Sequence, residues 1–323
     1  MKWNDISKYR SELFGLAIIS VILFHYFELV PPGADYIQSS SFKILSKLYT
    51  SVIGSVGVDI FIFLSGFGIY YSLKKSPAIA DFFRKRFNRV IIPYLILGTL
   101  FWIIRDLIIL KQNILTFVYD FSLLSFWFED ERAFWYVSLI CCLYIISPIV
   151  YSKGKVIILA FCLASVGLSI ISYFISPSVF YNIEIALCRI PLYFLGMICA
   201  ELSIEYKAIN EKMLWGGVIA ILFKGIAAYQ NIAFARLFNG PYSITLILVY
   251  VYFRNHVDIK IIGKFLILAG KYSLELYIAH VSVRAIMNTL EYETAKPLNY
   301  FLCIMISIVM TIVCNKLREI LKA

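Results

Sequence analysis

Charge is what this chain has least of. Only 15% of its 323 side chains are Asp, Glu, Lys or Arg, against 61% apolar ones, and the mean hydropathy is +0.82. A soluble globular chain carries about a quarter charged residues, so the polar surface a water-soluble fold of this length needs is missing. Histidine is scarcer still, at three residues: His25, His256 and His280. The seven cysteines (141, 142, 162, 188, 199, 303 and 314) all lie in apolar runs without C-x-x-C spacing. They read as small buried hydrophobes and argue against a disulfide frame or a thiolate metal site. The first apolar run is too long for a signal peptide and no small-residue cleavage site follows it, so it is expected to stay as a membrane helix. A formal net charge of +10 raises nucleic acid as a partner. No basic soluble domain is left over to bind it, and on so apolar a chain the basic residues mark cytoplasmic loops and sites for anionic groups.

What is present is a series of apolar segments. Windows of about 20 residues, the length that crosses a bilayer, predict an all-α polytopic membrane protein with ten transmembrane helices in one bundle and no separate soluble domain. The spans are 11–29, 52–73, 90–110, 133–152, 156–175, 185–203, 213–230, 241–253, 265–288 and 298–315. With the N-terminus inside, the inner segments hold 19 Lys and Arg and the outer ones six. That bias predicts both termini in the cytoplasm and a multi-pass protein of the plasma membrane. The span 156–175 is nearly free of charge and is expected to face lipid; Lys224 in the seventh span is expected to snorkel. The connection 111–132, with Asp120, Glu129, Asp130, Glu131 and Arg132, is either a solvated loop or a lid on the outer face.

Within the first span sits His25. An ionisable side chain at that depth is costly unless it faces the protein interior, which makes it a candidate for function. At 1.5 Å per residue, His25 lies about 20 Å and His280 about 22 Å from the starts of their outward-running helices, hence at similar depth. The second span brings in Asp59 near the same level. Hydrogen-bonded to His25 it would orient the imidazole as a general base; the alternatives are a helix cap or a pair with Arg189. On the cytoplasmic side, 82–89 packs four cations into six residues. Arg86 and Arg89 share a helical face, which suits a phosphate clamp, though a topogenic stop accounts equally for such a cluster.

Five stretches, in order, resemble the membrane acyltransferase 3 family over nearly the whole chain. They are Phe24-His25 closing the first span, GVDIFIFLSGF (57–67), RKRFNRVIIPY (84–94), the pair FWYVSLICCLYIISP (134–148) and RIPLYFLG (189–196), and GKYSLELYIAH (270–280). The resemblance implies an acyl-coenzyme A donor, commonly acetyl-CoA, entering from the cytoplasm. It implies a sugar hydroxyl of a cell-surface carbohydrate or glycolipid as acceptor on the far side, His25 as the catalytic residue and Arg86 and Arg89 as holders of coenzyme A. Two departures stand out. The family's arginine eleven residues before the histidine is Phe14 here, and Arg10, one turn earlier and about 60° around the helix from His25, is its candidate substitute. The glutamate often found in the fourth-helix motif is Ile140, leaving Trp135, Tyr144 and Pro148 as the match.

Acyl transfer from a thioester requires a base for the acceptor, a donor to the oxyanion and alignment of two substrates. His25 meets the first need, directly or through an acyl-histidine, with Asp59 to orient it. Ser65 and Tyr277 are candidate oxyanion donors, the alternative being helix-packing hydroxyls. Trp135 and His280 are expected near the substrate, and Arg189 and Glu275 either line the acceptor side or form structural ion pairs. No metal is expected. A secondary transporter relaying protons through His25, Asp59 and Glu275 is the rival from another class, and a non-catalytic relative is the third reading.

Overall fold

The structure, a computed structural model, describes residues 1–29, 49, 56–75, 78–210, 215–217, 219, 222–223, 235–294 and 296–320. It is helical throughout those residues apart from turns and one isolated bridge between Lys2 and Ala208. The helices are α1 (Asp5–Leu29), α2 (Val56–Lys75), α3 (Ile79–Ile109), α4 (Ile114–Phe121), α5 (Leu124–Glu129), α6 (Trp135–Ser152) and α7 (Lys155–Ile175). They continue with α8 (Pro177–Leu187), α9 (Ile190–Ile204), α10 (Asn239–His256), α11 (Lys260–Lys271), α12 (Ser273–Thr289) and α13 (Pro297–Ile320). Pro177, Pro191 and Pro297 sit in the first turn of α8, α9 and α13, where a missing N–H costs nothing.

Seven spans among the described residues are long and apolar enough to cross a membrane: α1, α2, α3, α6, α7, α8 with α9 as one run, and α13. Most of the expected seventh span, including Lys224, lies outside the described residues. The eighth exists as α10, but Asn239, Gly240 and Pro241 at one end and Arg254, Asn255 and His256 at the other leave an apolar middle shorter than a bilayer. The ninth is a correction: 265–288 is not one helix but two, α11 and α12, broken at Tyr272. The break, Gly270-Lys271-Tyr272-Ser273, is short and flanked by apolar runs on both sides, so a hydropathy window averages over it.

The central helix is α2, buried along most of its length, with α1, α6, α9 and α10 around it. Lipid tails are as apolar as leucine, so helices in a membrane associate by close packing, and small residues allow it. A Cβ added at Gly66 would run into the Tyr193 carbonyl, and one at Gly196 into the Phe63 carbonyl, so α2 and α9 meet backbone to backbone. The same reciprocity joins α1 to α11: Gly15 meets Leu266 and Gly270 meets Ser11. On the outside, α7 exposes Leu163, Phe174 and Ile175, as a lipid-facing helix should.

Segments expected on one side of the membrane touch each other at one end of the bundle. Trp3 donates its N–H to Lys207 (3.2 Å), Tyr9 donates its hydroxyl to the Arg254 carbonyl (3.0 Å), and Arg318 donates to the Asn88 carbonyl (2.9 Å).

Because a carbonyl cannot yield as a flexible side chain does, Gly66→Val should force α2 and α9 apart and cost about 1–3 kcal/mol, the usual range for overpacking. Thermal unfolding in detergent should show the loss; a variant as stable as the parent would contradict this crossing.

Candidate functional site

Two of the cavities among the described residues are lined by candidate site residues. One, of about 570 Å³, is lined at its basic part by Arg10, Lys85, Arg86, Arg89 and Lys271 and deeper in by Phe14, Phe61, Ser65, Tyr136, Ile140 and Tyr277. Besides α3, which carries Lys85, Arg86 and Arg89, helices α1, α2 and α6 and the α11–α12 break assemble it. The N-terminal part of α1 supplies Arg10 and Phe14, α2 supplies Phe61 and Ser65, α6 supplies Tyr136, Ile140 and Tyr144, and the α11–α12 break supplies Lys271 and Ser273. The arginines of α3 stand at the start of a π-helical stretch, Phe87–Ile91, whose wider turn sets the register of Arg89 after Arg86.

The state of these arginines sets them apart. The chain has eleven arginines. Eight have a carboxylate oxygen within 3.5 Å among the described residues: Arg84, Arg105, Arg132, Arg189, Arg236, Arg254, Arg284 and Arg318. The other three, Arg10, Arg86 and Arg89, have none, and all three line this one cavity. Arg10 donates to the Leu64 carbonyl (3.2 Å) and lies 5.3 Å over the Phe14 ring, while its Nε has no partner among the described residues. Room for it comes from Gly68, where any Cβ would collide with the guanidinium. Arg86 lies over Phe82 at 5.6 Å and Tyr144 at 5.7 Å, and its Nε is likewise without a partner among the described residues. Three arginines that share a partly enclosed cavity without a carboxylate partner among the described residues have donors free to face an anion.

The second cavity, of about 250 Å³, is lined by His25, Arg105, Glu131, Arg132, Trp135, Tyr277 and Arg284 among others. The connection between α3 and α6 contributes Glu131 and Arg132, so it is folded onto this pocket rather than being a bare solvated loop. Asn113 starts its first helix by accepting from the Thr116 N–H (2.9 Å), and Leu123 and Asp130, both in left-handed conformations, bracket its second. Arg105 pairs with Glu131 at 2.6 Å and ties the connection to the C-terminal end of α3.

His25 and His280, expected at similar depth, are in ring contact with centroids 5.8 Å apart. They differ in environment. The His25 side chain is 18% exposed on the pocket wall, whereas His280 is fully buried, with Tyr300 3.2 Å from its Nε2 and Cys303 3.9 Å from its Nδ1. His280 therefore supports the wall behind His25.

The expected bond from Asp59 to His25 is not what the structure shows. Asp59 accepts from Arg189 Nε at 2.6 Å, both side chains being buried, and Arg189 lies 5.1 Å over Trp135. The pair therefore locks α2 to the α8–α9 junction and backs the Trp135 wall of the His25 pocket. The carboxylate at His25 is Glu28, 3.2 Å from Nδ1, and Glu28 is in turn 3.5 Å from Arg284 of α12. Sequence reasoning passed over both. The signal for Glu28 was available, since residues three apart on a helix are neighbours; Arg284 carried none. Glu275 is also away from both cavities: it is bonded to Arg318 of α13. Among the described residues His25, Asp59 and Glu275 thus have three different ion-pair partners: Glu28, Arg189 and Arg318. Ser65 and Tyr277 do face the basic cavity, with Ser65 Oγ 3.4 Å from the Tyr136 hydroxyl. Among the described residues no group of three or more His, Cys, Asp or Glu side chains is arranged to hold a metal.

A family model described as an acyltransferase domain matches residues 15–315 of the chain. No curated protein and no solved structure matches it.

Removing one partner of the buried Asp59–Arg189 pair leaves an uncompensated charge. Asp59→Ala should therefore destabilise by about 3–5 kcal/mol, and the double variant Asp59→Leu with Arg189→Met should recover most of that. If thermal unfolding finds the single variant as stable as the parent, the pair does not hold these helices.

Proposed function

The chain belongs to the acyltransferase 3 family, and from that premise we propose that it is a membrane enzyme moving an acyl group, acetyl in the first instance, from coenzyme A to a carbohydrate hydroxyl. In this reading Arg10, Arg86 and Arg89, with Lys85 and Lys271 beside them, hold the phosphates of acyl-coenzyme A in the basic cavity. Arg10 takes over from the arginine whose place is occupied by Phe14. The acceptor sugar enters the pocket of His25, Trp135, Arg284 and Asn288. The Lys and Arg bias puts the basic cavity on the cytoplasmic side of the plasma membrane and the His25 pocket towards the outside.

The observation that carries the reading is the convergence of the only three arginines without a carboxylate partner, among the described residues, on one cavity whose wall is shared with the pocket of His25. A structural guanidinium in an apolar bundle is neutralised by a neighbour. Three that line one cavity without such a neighbour among the described residues, open to solvent at Arg89, suit an anion supplied from outside the chain.

The chemistry follows from the tautomer. With Nδ1–H donated to Glu28, the lone pair of His25 is on Nε2. As the acceptor oxygen attacks the thioester carbonyl, its proton passes to Nε2, the carbon–sulfur bond breaks, and the departing thiolate takes the proton back. Glu28 acts as a positioning residue, stabilising the imidazolium that forms, and Arg284 holds Glu28. The thioester is already activated, so alignment of the two substrates and removal of one proton are the main tasks.

Membranes given labelled acetyl-coenzyme A and the cell's own glycans should transfer label in the parent. His25→Ala should lower transfer by about 10²–10⁴-fold with coenzyme A binding kept. Equal transfer in both would overturn the mechanism. In the purified protein, Arg86→Ala should weaken coenzyme A binding by roughly tenfold or more, the loss of a charge-assisted hydrogen bond of about 1.5–3 kcal/mol. Gly68→Leu, which fills the space of the Arg10 guanidinium, should weaken it too. Unchanged binding in both would remove the basic cavity from the reading. At the other end, Glu28→Gln should lower the transfer rate more than it raises the KM for acetyl-coenzyme A; a change in KM alone would deny Glu28 its role.

A further inference from the structure

The two cavities meet at a single side chain. None of Arg10, Arg86 and Arg89 lines the His25 pocket, and His25 does not line the basic cavity; Tyr277 lines both. Its ring stands edge-on to that of Tyr136 with centroids 5.5 Å apart, and the rings of Tyr136, Phe61 and Phe14 continue in steps of 5.9 and 5.7 Å. This aromatic file closes the inner end of the basic cavity. Tyr277 is its last member, 3% exposed, and no other ring of the file reaches the His25 side.

Distance gives this wall its meaning. Arg10 and His25 are fifteen residues apart on α1, about 22 Å along the axis, a span of the same order as an extended pantetheine arm. A thioester whose phosphates rest on the arginines therefore brings its carbonyl to His25 only at full reach, with the acyl group leading. That group has to pass Tyr277 and then share about 250 Å³ with the acceptor.

Resting on the reading of donor and acceptor given above, we propose that Tyr277 is a gate that selects the acyl group by size and restricts the access of water to the thioester from the His25 side. Short acyl groups pass beside the ring; long ones do not. Displacing the ring lets longer chains through and lets water reach the carbonyl from the His25 side, where it attacks, the carbon–sulfur bond breaks, and free acid and coenzyme A thiol result.

The test compares acetyl-, butyryl- and octanoyl-coenzyme A as donors in membranes carrying the parent, Tyr277→Phe or Tyr277→Ala, with acceptor transfer and acceptor-free thioester hydrolysis both measured. The parent should favour acetyl over octanoyl by about tenfold or more. Tyr277→Ala should narrow that ratio by roughly tenfold, the scale on which a pocket discriminates added methylenes, and should raise acceptor-free hydrolysis. Tyr277→Phe, which keeps the ring, should keep the parent's ratio. A ratio unmoved by Tyr277→Ala, or a parent that uses octanoyl as well as acetyl, overturns the gate while leaving the transferase reading intact. A parent that transfers none of the three overturns that reading instead. If Tyr277→Ala and Tyr277→Leu both bind coenzyme A and transfer nothing, the residue is needed for the chemistry itself, and the gate is likewise overturned.

Discussion

A guanidinium inside an apolar bundle has to be neutralised, and the architecture follows from how each one is. Burying a charge unpaired costs several kcal/mol, and removing one member of a buried pair restores that cost. Arg189 with Asp59 pins the α8–α9 junction to the central helix, and Arg254 with Glu12, at 2.7 Å and backed by the Tyr250 hydroxyl at 2.5 Å, pins α10 to α1. Arg318 with Glu275 pins α13 to α12 and reaches the Asn88 carbonyl beside the arginine cluster. Two of the three pairs join elements far apart in sequence and the third joins consecutive helices, so together they specify which helices are neighbours, while the glycine crossings set how closely they approach. Against this background, Arg10, Arg86 and Arg89, which line one cavity without a carboxylate partner among the described residues, stand apart; Arg89 is exposed and the other two are half-buried.

Much of this was legible in the residues. The spans appear because a bilayer demands about 20 apolar residues in a row, and the depth of His25 and His280 followed from helical rise alone; their rings touch. The shared face of Arg86 and Arg89 also survives, both side chains reaching the same cavity across a π-helical stretch. What depends on a single helix can be read from a single helix.

Partner choice is different in kind. Asp59 is at the right level for His25, but level fixes only one coordinate, and the rotation of α2 against α1 and α9 decides the other two. The helix–helix crossings set that rotation, and in it Asp59 meets Arg189. Glu28 was the nearer candidate, one turn away on the same helix, yet its 49% exposed side chain sits at the end of an apolar run, where a carboxylate reads as a solvated terminus. The break at Tyr272 was hidden for a related reason. A hydropathy window averages Gly270, Lys271, Ser273 and Glu275 with the apolar residues on either side of them, and the break disappears in the mean.

The two departures from the family pattern meet in one place. Phe14 and Ile140 line the same chamber from α1 and α6 and give it an apolar wall. Arg10 approaches Phe14 from the preceding turn, with its guanidinium 5.3 Å over the phenyl ring and in contact with Gly68, where a Cβ would collide with it. The phenyl ring is thus a platform for a guanidinium rather than an obstacle to one. Three arginines therefore line the cavity although position 14 is apolar, and its remaining wall, through Phe61 and Tyr136 to Tyr277, is lined with rings rather than charges.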